Sequence, residues 1–534
     1  MAVDPAVRRL ALRTLLAAFA GKSAPEWASG LLTEGLAGHT LFGRNIAGPG
    51  QLARLSAELR AARPDALIAA DEEGGDVTRL GRETGSPYPG NAALGAVDDP
   101  ELTRSVYAAI GAELAAGGIN LALAPTVDVN TTADNPVIGT RAFGAEPLLV
   151  ARHAVAAVTG LQETGVAACA KHFPGHGATS ADSHLELPTV DASLDLLRER
   201  DLPPFAAVIA AGAQAIMTAH IRVPALTGTG PATFSRAVLT DLLRHEYGFS
   251  GVIVTDALEM KGATAAAGSP GQAAVLALSA GADLLCLGAR IDQALVESTV
   301  AEIAAAVTDG RLPIRRLEEA AERNAALAAW ASRPASPRTH PANLSGAPAA
   351  DDPAADGPVE GRGAAEGPAA DRGAADGPAA TGSAALSGQE LGIGYAAARR
   401  AIRVEGSLVD ITDPLVVQIE SGPTQAEGRV PWGLKPHLSG VEQISVVAAD
   451  ASPGALAEHA GSRPIVLVGR RVHRTEATRA LIEILAARHT VAVVEMGWPS
   501  SWRPRGARAF VTTYGASHAN GRAAAEALGL TGRR

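Results

Sequence analysis

Short apolar runs alternate with longer helical patterns from the N-terminus to about residue 330. The runs are four to six residues long and consist mainly of leucine, isoleucine, valine and alanine. They predict eight strands, at residues 15–19, 39–42, 67–70, 120–124, 167–172, 215–220, 251–255 and 283–287. Eight strands that alternate with helices predict an α/β fold of the parallel (β/α)₈ barrel type, in which functional residues follow the carboxyl ends of the strands.

A second region of strands and helices follows a segment that cannot form a core. Residues 332–387 consist largely of alanine, glycine, proline, aspartate and arginine, and a ten-residue repeat places Gly-Pro after Asp356, Glu366 and Asp376. We predict a disordered low-complexity linker there, because such a composition buries too little apolar surface to fold.

Five apolar runs come after this linker, at residues 415–420, 444–449, 464–469, 490–496 and 509–515. Helical patterns at 474–487 and 517–528 lie among them. This arrangement predicts a smaller α/β domain of the doubly wound type. The sequence lacks GxGxxG and GxxxxGK[ST], so we expect no nucleotide-binding role for this domain. The predicted organisation is a catalytic barrel at 1–331, a linker at 332–387 and a C-terminal domain at 388–534.

The composition limits the kinds of molecule that we expect the protein to bind. The 534 residues carry a net charge of −10, and 47% of them are apolar against 19% charged. No run approaches the roughly 18 apolar residues of a membrane helix, and no basic patch suggests nucleic acid. We therefore expect a small-molecule ligand and neither a membrane nor a nucleic acid as partner, while the oligomeric state stays open.

The start of the chain and the two cysteines indicate the cellular compartment in which we expect the protein. Arg8 and Arg9 precede an apolar stretch that resembles a signal peptide, but Arg13 interrupts it and no small-residue cleavage site follows. Cys169 and Cys286 both lie in apolar runs that predict buried strands, which excludes a disulfide framework. We expect a cytoplasmic protein.

The densest polar segment, KHFPGHGATSADSH, spans residues 171–184 and follows a predicted strand. Asp182 and His184 are separated by one residue. At this spacing a carboxylate can accept a hydrogen bond from an imidazole nitrogen and thereby favour the charged form of the imidazole. An acid/base role is one interpretation, and an ordered loop held by hydrogen-bonded histidines is another. A metal site is a third, since His172, His176, Asp182 and His184 are possible ligands, but the neighbouring Lys171 would repel a cation.

Three further motifs place polar side chains after predicted strands. Asp256 ends the strand in VTDALEM, where its carboxylate could bind a hydroxyl, act as a base or attack an anomeric carbon, whereas Glu259 is expected at a solvated helix start. Asp71 begins DEEGGDVTRL and suits vicinal hydroxyls. Arg141 lies in the turn-rich loop NPVIGTRAFG.

Taken together, these motifs carry a family resemblance. KHFPGHG followed by ADSH, with DEEGG, NPVIGTRAFG and VTDALEM, resembles the glycoside hydrolase family 3 β-N-acetylglucosaminidases from about residue 15 to about residue 310. The segment TTYGASHANGRAAAEALG makes the C-terminal domain similar to the second domain of two-domain members. Departures such as Glu72, where many relatives have glutamine, and Ala178, where some have a carboxylate, affect no catalytic position.

The resemblance implies specific roles and an activity. Asp256 would be the nucleophile, His184 the general acid/base and Asp182 its assistant. Sugar contacts would come from Asp71, Arg79, Arg141, Lys171 and His172. Without any cofactor or metal, the enzyme would release terminal β-linked N-acetylglucosamine with retention from cell-wall (peptidoglycan) fragments or chitooligosaccharides. The alternatives are a family 3 β-glucosidase, a β-N-acetylglucosaminide phosphorylase and a non-catalytic sugar-binding protein.

Overall fold

The structure is a computed structural model that describes residues 4–288, 292–333 and 388–532. Apart from Ser332 and Arg333, which follow the last helix of the first domain, the predicted linker lies outside the described residues. The boundaries at 331 and 387 therefore stay predictions.

The first domain is built on a sheet of eight strands in the order β7-β6-β5-β4-β3-β2-β1-β8. The strands are β1 Leu15–Ala17, β2 Gly38–Thr40, β3 Leu67–Ala70, β4 Leu121–Ala122, β5 Ala167–Phe173, β6 Ala215–Thr218, β7 Val252–Thr255 and β8 Leu285–Cys286. Every neighbouring pair within this order is parallel. A parallel bridge between Val254 and Leu284 connects β7 to the start of β8. The predicted barrel is confirmed.

Helices connect the strands around the outside of the barrel. They are α1 Pro5–Leu12, α2 Glu26–Glu34, α3 Pro49–Ala62, α4 Asn91–Val97, α5 Pro100–Ala116, α6 Pro147–Glu163, α7 Leu194–Arg200, α8 Pro203–Ala210, α9 Pro224–Thr227, a π-helical segment Ala237–Glu246, α10 Lys261–Ala267, α11 Pro270–Ala280, α12 Gln293–Thr308 and α13 Ile314–Ala331. Asp4, Asp99 and Ser269 each cap a helix by accepting a backbone N–H, and each is followed by proline at the first helical position. These capping residues and prolines explain why helices begin at those points.

The inside of the barrel has its own apolar cluster, which includes Leu16, Leu67, Cys169 and Cys286 and is covered by Leu327 and Ala328 of α13. Asn324 of α13 donates hydrogen bonds to the carbonyl oxygens of Arg13 and Asp283, residues that precede β1 and β8. Helix α13 therefore covers the amino ends of the strands. Both cysteines are buried free thiols.

The second domain contains a six-stranded sheet in the order β11-β10-β12-β13-β14-β9. Its elements are α14 Gly388–Ala401, β9 Arg403–Gly406, β10 Leu415–Ile419, β11 Gln443–Val446, α15 Pro453–Ala460, β12 Ile465–Gly469, α16 Glu476–Ala486, β13 Val491–Glu495, β14 Ala509–Thr512 and α17 His518–Ala527. Five strands are parallel as predicted, and both faces of the sheet carry an apolar core. The sixth strand, β9, pairs antiparallel with β14 at the edge and was not predicted.

The two domains are in direct contact. Arg400 forms an ion pair with Asp99 at 2.8 Å, and the backbone N–H of Ala516 donates to Asp76 Oδ1 at 2.7 Å. Through these contacts the C-terminal domain lies beside the carboxyl-end loops of the barrel. Among the helices that the structure describes, none combines the length and the apolar character needed to cross a bilayer.

Candidate active site

A cavity of about 650 Å³ opens at the carboxyl ends of the barrel strands. Seven of the eight side chains predicted to form the site line it, namely Asp71, Arg79, Arg141, Lys171, His172, His184 and Asp256. The eighth, Asp182, lies behind His184 and is hydrogen-bonded to it. The structure thus brings together residues that are up to 185 positions apart in the chain.

Asp256 follows β7 directly, and its Oδ1 accepts the backbone N–H of Ala257 at 2.8 Å. Burial alone would raise the pKa of this carboxyl, but the imidazoles of His220, His172 and His184 outweigh burial and lower it to about 2. Asp256 is therefore an ionised carboxylate at neutral pH, the form that a nucleophile requires.

His184 sits on the loop that follows β5, with its side chain 30% exposed. Asp182 Oδ1 accepts from its backbone N–H at 2.9 Å and from its Nδ1 at 2.7 Å. Burial would lower the pKa of His184, but its hydrogen bond to Asp182 and the charge of Asp256 raise that pKa above its ordinary value. The loop is tied to the segment after Asp256, because Gly262 N–H donates to Ser183 O at 3.1 Å.

His176 has a different role from His184. Its Nδ1 lies 2.7 Å from Thr179 Oγ1, its Nε2 lies 3.1 Å from Ser183 Oγ, and its backbone N–H donates to Asp128 Oδ1 at 2.6 Å. Burial lowers the pKa of His176 to about 4, so the ring is neutral and both ring nitrogens are used within the protein. The interpretation of an ordered loop held by a histidine fits His176, which holds the loop that carries His184.

The inner wall of the cavity is a cluster of buried opposite charges. Lys171 Nζ lies 2.9 Å from Asp71 Oδ1 and 2.7 Å from Glu73 Oε1, and Arg141 pairs with Glu73 through Nε at 2.9 Å and Nη2 at 2.8 Å. Burial would raise the pKa values of Asp71 and Glu73, but the neighbouring cations lower both below the ordinary range. These fixed donors and acceptors suit the hydroxyl and amide groups of a sugar.

The orientation of His172 depends on Asp128, which the motifs did not single out as a partner. His172 Nδ1 lies 2.8 Å from Asp128 Oδ2, and Arg141 Nη2 lies 3.4 Å from His172 Nε2. Because a guanidinium can only donate, we assign the His172 proton to Nδ1. The 44-residue separation between Asp128 and His172 conceals this contact in the sequence.

The second domain contributes to the cavity wall, a feature that the sequence did not reveal. Residues 425–430 line the cavity, and Arg79 Nη2 donates to Ala426 O at 3.1 Å while lying 3.5 Å from Asp71 Oδ2. Glu72 supports this arrangement by accepting the backbone N–H groups of Arg79 at 2.8 Å and Leu80 at 2.9 Å. Glu72 therefore acts through the turn and makes no cavity contact of its own.

Glu259 differs from its predicted solvated position. It lines the cavity with its carboxylate oxygens buried against the backbone of Gly288, and among the described residues no side chain forms a hydrogen bond with either oxygen. Burial raises the pKa of Glu259 because a desolvated carboxylate is less stable than the neutral acid. The prediction was wrong because the turn after Asp256 folds back into the cavity before α10 begins.

The possible metal ligands are directed to different partners. His172 contacts Asp128, His176 contacts Thr179 and Ser183, and His184 contacts Asp182. Within the described ranges, no three histidine, cysteine, aspartate or glutamate side chains form a group that could hold a metal ion.

Comparison with known families and relatives agrees with the motifs. Residues 9–327 match the glycosyl hydrolase family 3 N-terminal domain. A β-hexosaminidase A from Pseudoalteromonas piscicida is 37% identical over 328 residues, which cover 57% of this chain and 55% of that protein. The chain thus matches little more than half the length of this relative. A β-hexosaminidase from Methylococcus capsulatus is 38% identical over 312 residues, covering 58% of this chain and 92% of that one.

A solved structure extends the similarity over both domains. The structure of a glycoside hydrolase family 3 β-N-acetylglucosaminidase from Paenibacillus sp. str. FPU-7 superposes with a TM-score of 0.80 at 31% identity. The superposition covers 98% of this chain and 97% of that chain. The fold is therefore shared over nearly the whole length of both chains.

Proposed function

The chain belongs to glycosyl hydrolase family 3, and from that premise we propose that it is a retaining β-N-acetylglucosaminidase. One observation carries the proposal: an ionised carboxylate, Asp256, and an imidazole oriented by a carboxylate, His184, line the same cavity. The resemblance noted in the sequence points to the same pair. The β-hexosaminidase and β-N-acetylglucosaminidase relatives support this substrate class.

The proposed reaction is a double displacement. In the first step Asp256 attacks the anomeric carbon, the glycosidic C–O bond breaks, and His184 Nε2 gives its proton to the leaving oxygen. In the second step His184 takes a proton from water, whose oxygen attacks the anomeric carbon and releases Asp256. Two inversions leave the product with the β configuration of the substrate.

The charge cluster on the inner wall would bind the terminal sugar. Asp71 and Glu73 accept hydrogen bonds, whereas Lys171, Arg79 and Arg141 donate them, so vicinal hydroxyls and an acetamido group could both be matched. Because α13 covers the other end of the barrel, the cavity is closed beyond this wall. A cavity that ends at this wall supports removal of one terminal sugar at a time. We propose cell-wall fragments or chitooligosaccharides as substrates, in the cytoplasm.

The decisive experiment compares 4-nitrophenyl β-N-acetylglucosaminide with the corresponding β-glucoside. We expect release from the acetylated sugar only, its loss in Asp256→Asn, and a sharply reduced steady-state rate of release in His184→Ala, in which the second step lacks its base. Asp191→Asn and His245→Ala change exposed residues of the same types and serve as matched controls. Proton NMR of the first product should show the β anomer. A first-formed α anomer contradicts retention, and equal turnover of the glucoside contradicts the substrate class.

A phosphorylase is the second candidate, and the use of an imidazole favours it. After the first step His184 is neutral, whereas a carboxylate base would be negative and would repel an anionic nucleophile. Adding inorganic phosphate to the same assay distinguishes the two reactions by the product, a sugar 1-phosphate or the free sugar. Hydrolysis that outpaces phosphorolysis at millimolar phosphate excludes this candidate.

A further inference from the structure

The rim of the cavity carries positive charge that the described residues neutralise only in part. Arg44 and Arg429 line it, and neither has an ion-pair partner among the residues that the structure describes. Arg82 lines the same rim and lies no closer than 3.7 Å to its exposed neighbour Glu83. On the inner wall, by contrast, Lys171 and Arg141 are both paired with carboxylates.

Arg44 is held in place by its own turn. The turn Gly43–Asn45 follows β2, and Asn45 Nδ2 donates to the carbonyl oxygens of Phe19 at 2.9 Å and Gly21 at 2.8 Å. The guanidinium carbon of Arg44 lies 5.3 Å from the centre of the Phe42 ring. Arg44 Nε is buried and has no partner among the described residues, although buried donors are normally hydrogen-bonded.

Arg82 lies next to Arg44. A Cβ atom added to Gly43 would lie 2.7 Å from Arg82 Cδ, so the stem of Arg82 packs over the residue that precedes Arg44. Arg82 and Arg429 also line a second groove, which continues outward from the cavity. The two arginines therefore mark the boundary between the cavity and the outer groove.

Arg429 comes from the second domain, on a segment that the domain holds firmly. Arg470 donates to Ser421 O at 3.3 Å and to Glu427 Oε2 at 3.1 Å, and its guanidinium carbon lies 4.6 Å from the Trp432 ring. Because Arg470 neutralises Glu427, the carboxylate nearest to Arg429 in the chain is already paired. The charge of Arg429 is thus left for a ligand.

We propose that Arg44, Arg82 and Arg429 form an anion-binding subsite for a carboxylate on the leaving-group half of the substrate. Guanidinium groups match the planar, two-oxygen geometry of a carboxylate. The inner wall would hold the terminal sugar, so a subsite on the rim faces the group that departs. The inference rests on the proposed function and deepens it, since it specifies an acidic leaving group and gives the second domain a role in specificity.

The test uses two disaccharides with N-acetylglucosamine β-linked to a sugar that bears a free carboxylate or its methyl ester. Calorimetry on the full chain carrying Asp256→Asn gives the ratio of the two Kd values without turnover. We expect the acid to bind more tightly than the ester, and Arg44→Gln, Arg82→Gln or Arg429→Gln to reduce that preference by about fivefold to tenfold each. Arg54→Gln and Arg488→Gln, on exposed surfaces of the two domains, should leave the preference unchanged.

Free phosphate has the same chemistry, so inorganic phosphate is titrated in parallel. If the variants weaken phosphate binding but leave the acid-to-ester ratio unchanged, the subsite binds a free anion, and the leaving-group assignment is overturned. If the variants change neither phosphate binding nor the acid-to-ester ratio, the proposal of an anion-binding subsite is overturned. The same holds if the protein with all three arginines intact shows no preference for the acid. Failure of the proposed function is a separate result, because it appears as absent turnover of 4-nitrophenyl β-N-acetylglucosaminide by the intact protein.

Discussion

Asp182 accepts two hydrogen bonds from His184, one from the backbone N–H at 2.9 Å and one from the imidazole Nδ1 at 2.7 Å. Burial raises the pKa of Asp182, but the two hydrogen bonds from His184 outweigh it, so the carboxylate is ionised and Nδ1 carries a proton. One carboxylate therefore fixes the tautomer of the ring, its orientation and its charge. The other ring nitrogen, Nε2, is left for the substrate.

Replacing Asp182 by asparagine should shift the pH dependence of the reaction. The amide keeps a hydrogen-bond acceptor but removes the negative charge that raises the pKa of His184, so that pKa falls. His184 must be protonated to act as the acid, and the basic limb of kcat/KM for chitobiose should move to lower pH. We expect kcat to fall about tenfold to a hundredfold, part of what a general acid contributes.

Asp191→Asn provides the control for this prediction, since Asp191 is an exposed aspartate of the same domain. Its pH profile should superpose on that of the unchanged protein. An unshifted basic limb in Asp182→Asn, with only a lower kcat, would mean that Asp182 orients the ring without setting its pKa.

His184→Ala should affect substrates according to their leaving group. Nitrophenolate departs without protonation, whereas the sugar oxygen of chitobiose needs a proton in the first step. We therefore expect the variant to lose about 10²–10⁴-fold in kcat/KM on chitobiose and much less on the 4-nitrophenyl glycoside. On the latter, a burst of nitrophenol should precede slow turnover, because the second step lacks its base. Equal losses on both substrates would argue against the acid role.

The barrel could be predicted from the sequence because each strand is a short apolar run and polar residues follow its carboxyl end. A search for apolar runs does not find β9, because Val404 is its only large apolar residue and all four of its residues are exposed. An edge strand of this kind is stabilised by backbone pairing to β14, which leaves no pattern in its own side chains.

The site residues were recognisable as motifs, whereas their partners were not. Asp128 is 44 positions from His172, and Ala426 is 347 positions from Arg79. Such contacts depend on how loops and domains dock, and a backbone carbonyl such as that of Ala426 carries no sequence signal. For the same reason the contribution of the second domain to the cavity became visible only in the structure.

Lys171→Met should destabilise the barrel in a pH-dependent manner. Lys171 is almost fully buried between Asp71 and Glu73, and removing one partner of a buried ion pair costs about 3–5 kcal/mol. Both carboxyls have lowered pKa values, so the stability they contribute is present above their ordinary pKa and is lost as the pH falls through the lowered one. The difference from the unchanged protein should be largest at pH 7 and shrink on acidification.

Urea unfolding at neutral and acidic pH measures this difference. Lys22→Met replaces an exposed lysine and should change the unfolding free energy by less than about 0.5 kcal/mol at either pH. A Lys171→Met deficit that stays constant or grows on acidification would show that packing, and not charge pairing, is the main contribution of this side chain.

Asp76→Ala tests the contact that joins the two domains next to the site. Asp76 Oδ1 accepts Ala516 N–H of the second domain at 2.7 Å, and Oδ2 accepts the Thr140 hydroxyl at 2.7 Å, beside Arg141. Alanine leaves both donors without an acceptor, which should lower the unfolding free energy by about 1–3 kcal/mol and raise KM for the N-acetylglucosaminide as Arg141 shifts. Asp76→Asn keeps one oxygen that can accept the Ala516 N–H, and its NH₂ group can donate to the Thr140 hydroxyl. The effect of this variant should therefore be smaller. Urea unfolding and KM are measured on both variants, and equal effects of alanine and asparagine would assign the contact to the charge of Asp76 and not to its two hydrogen bonds.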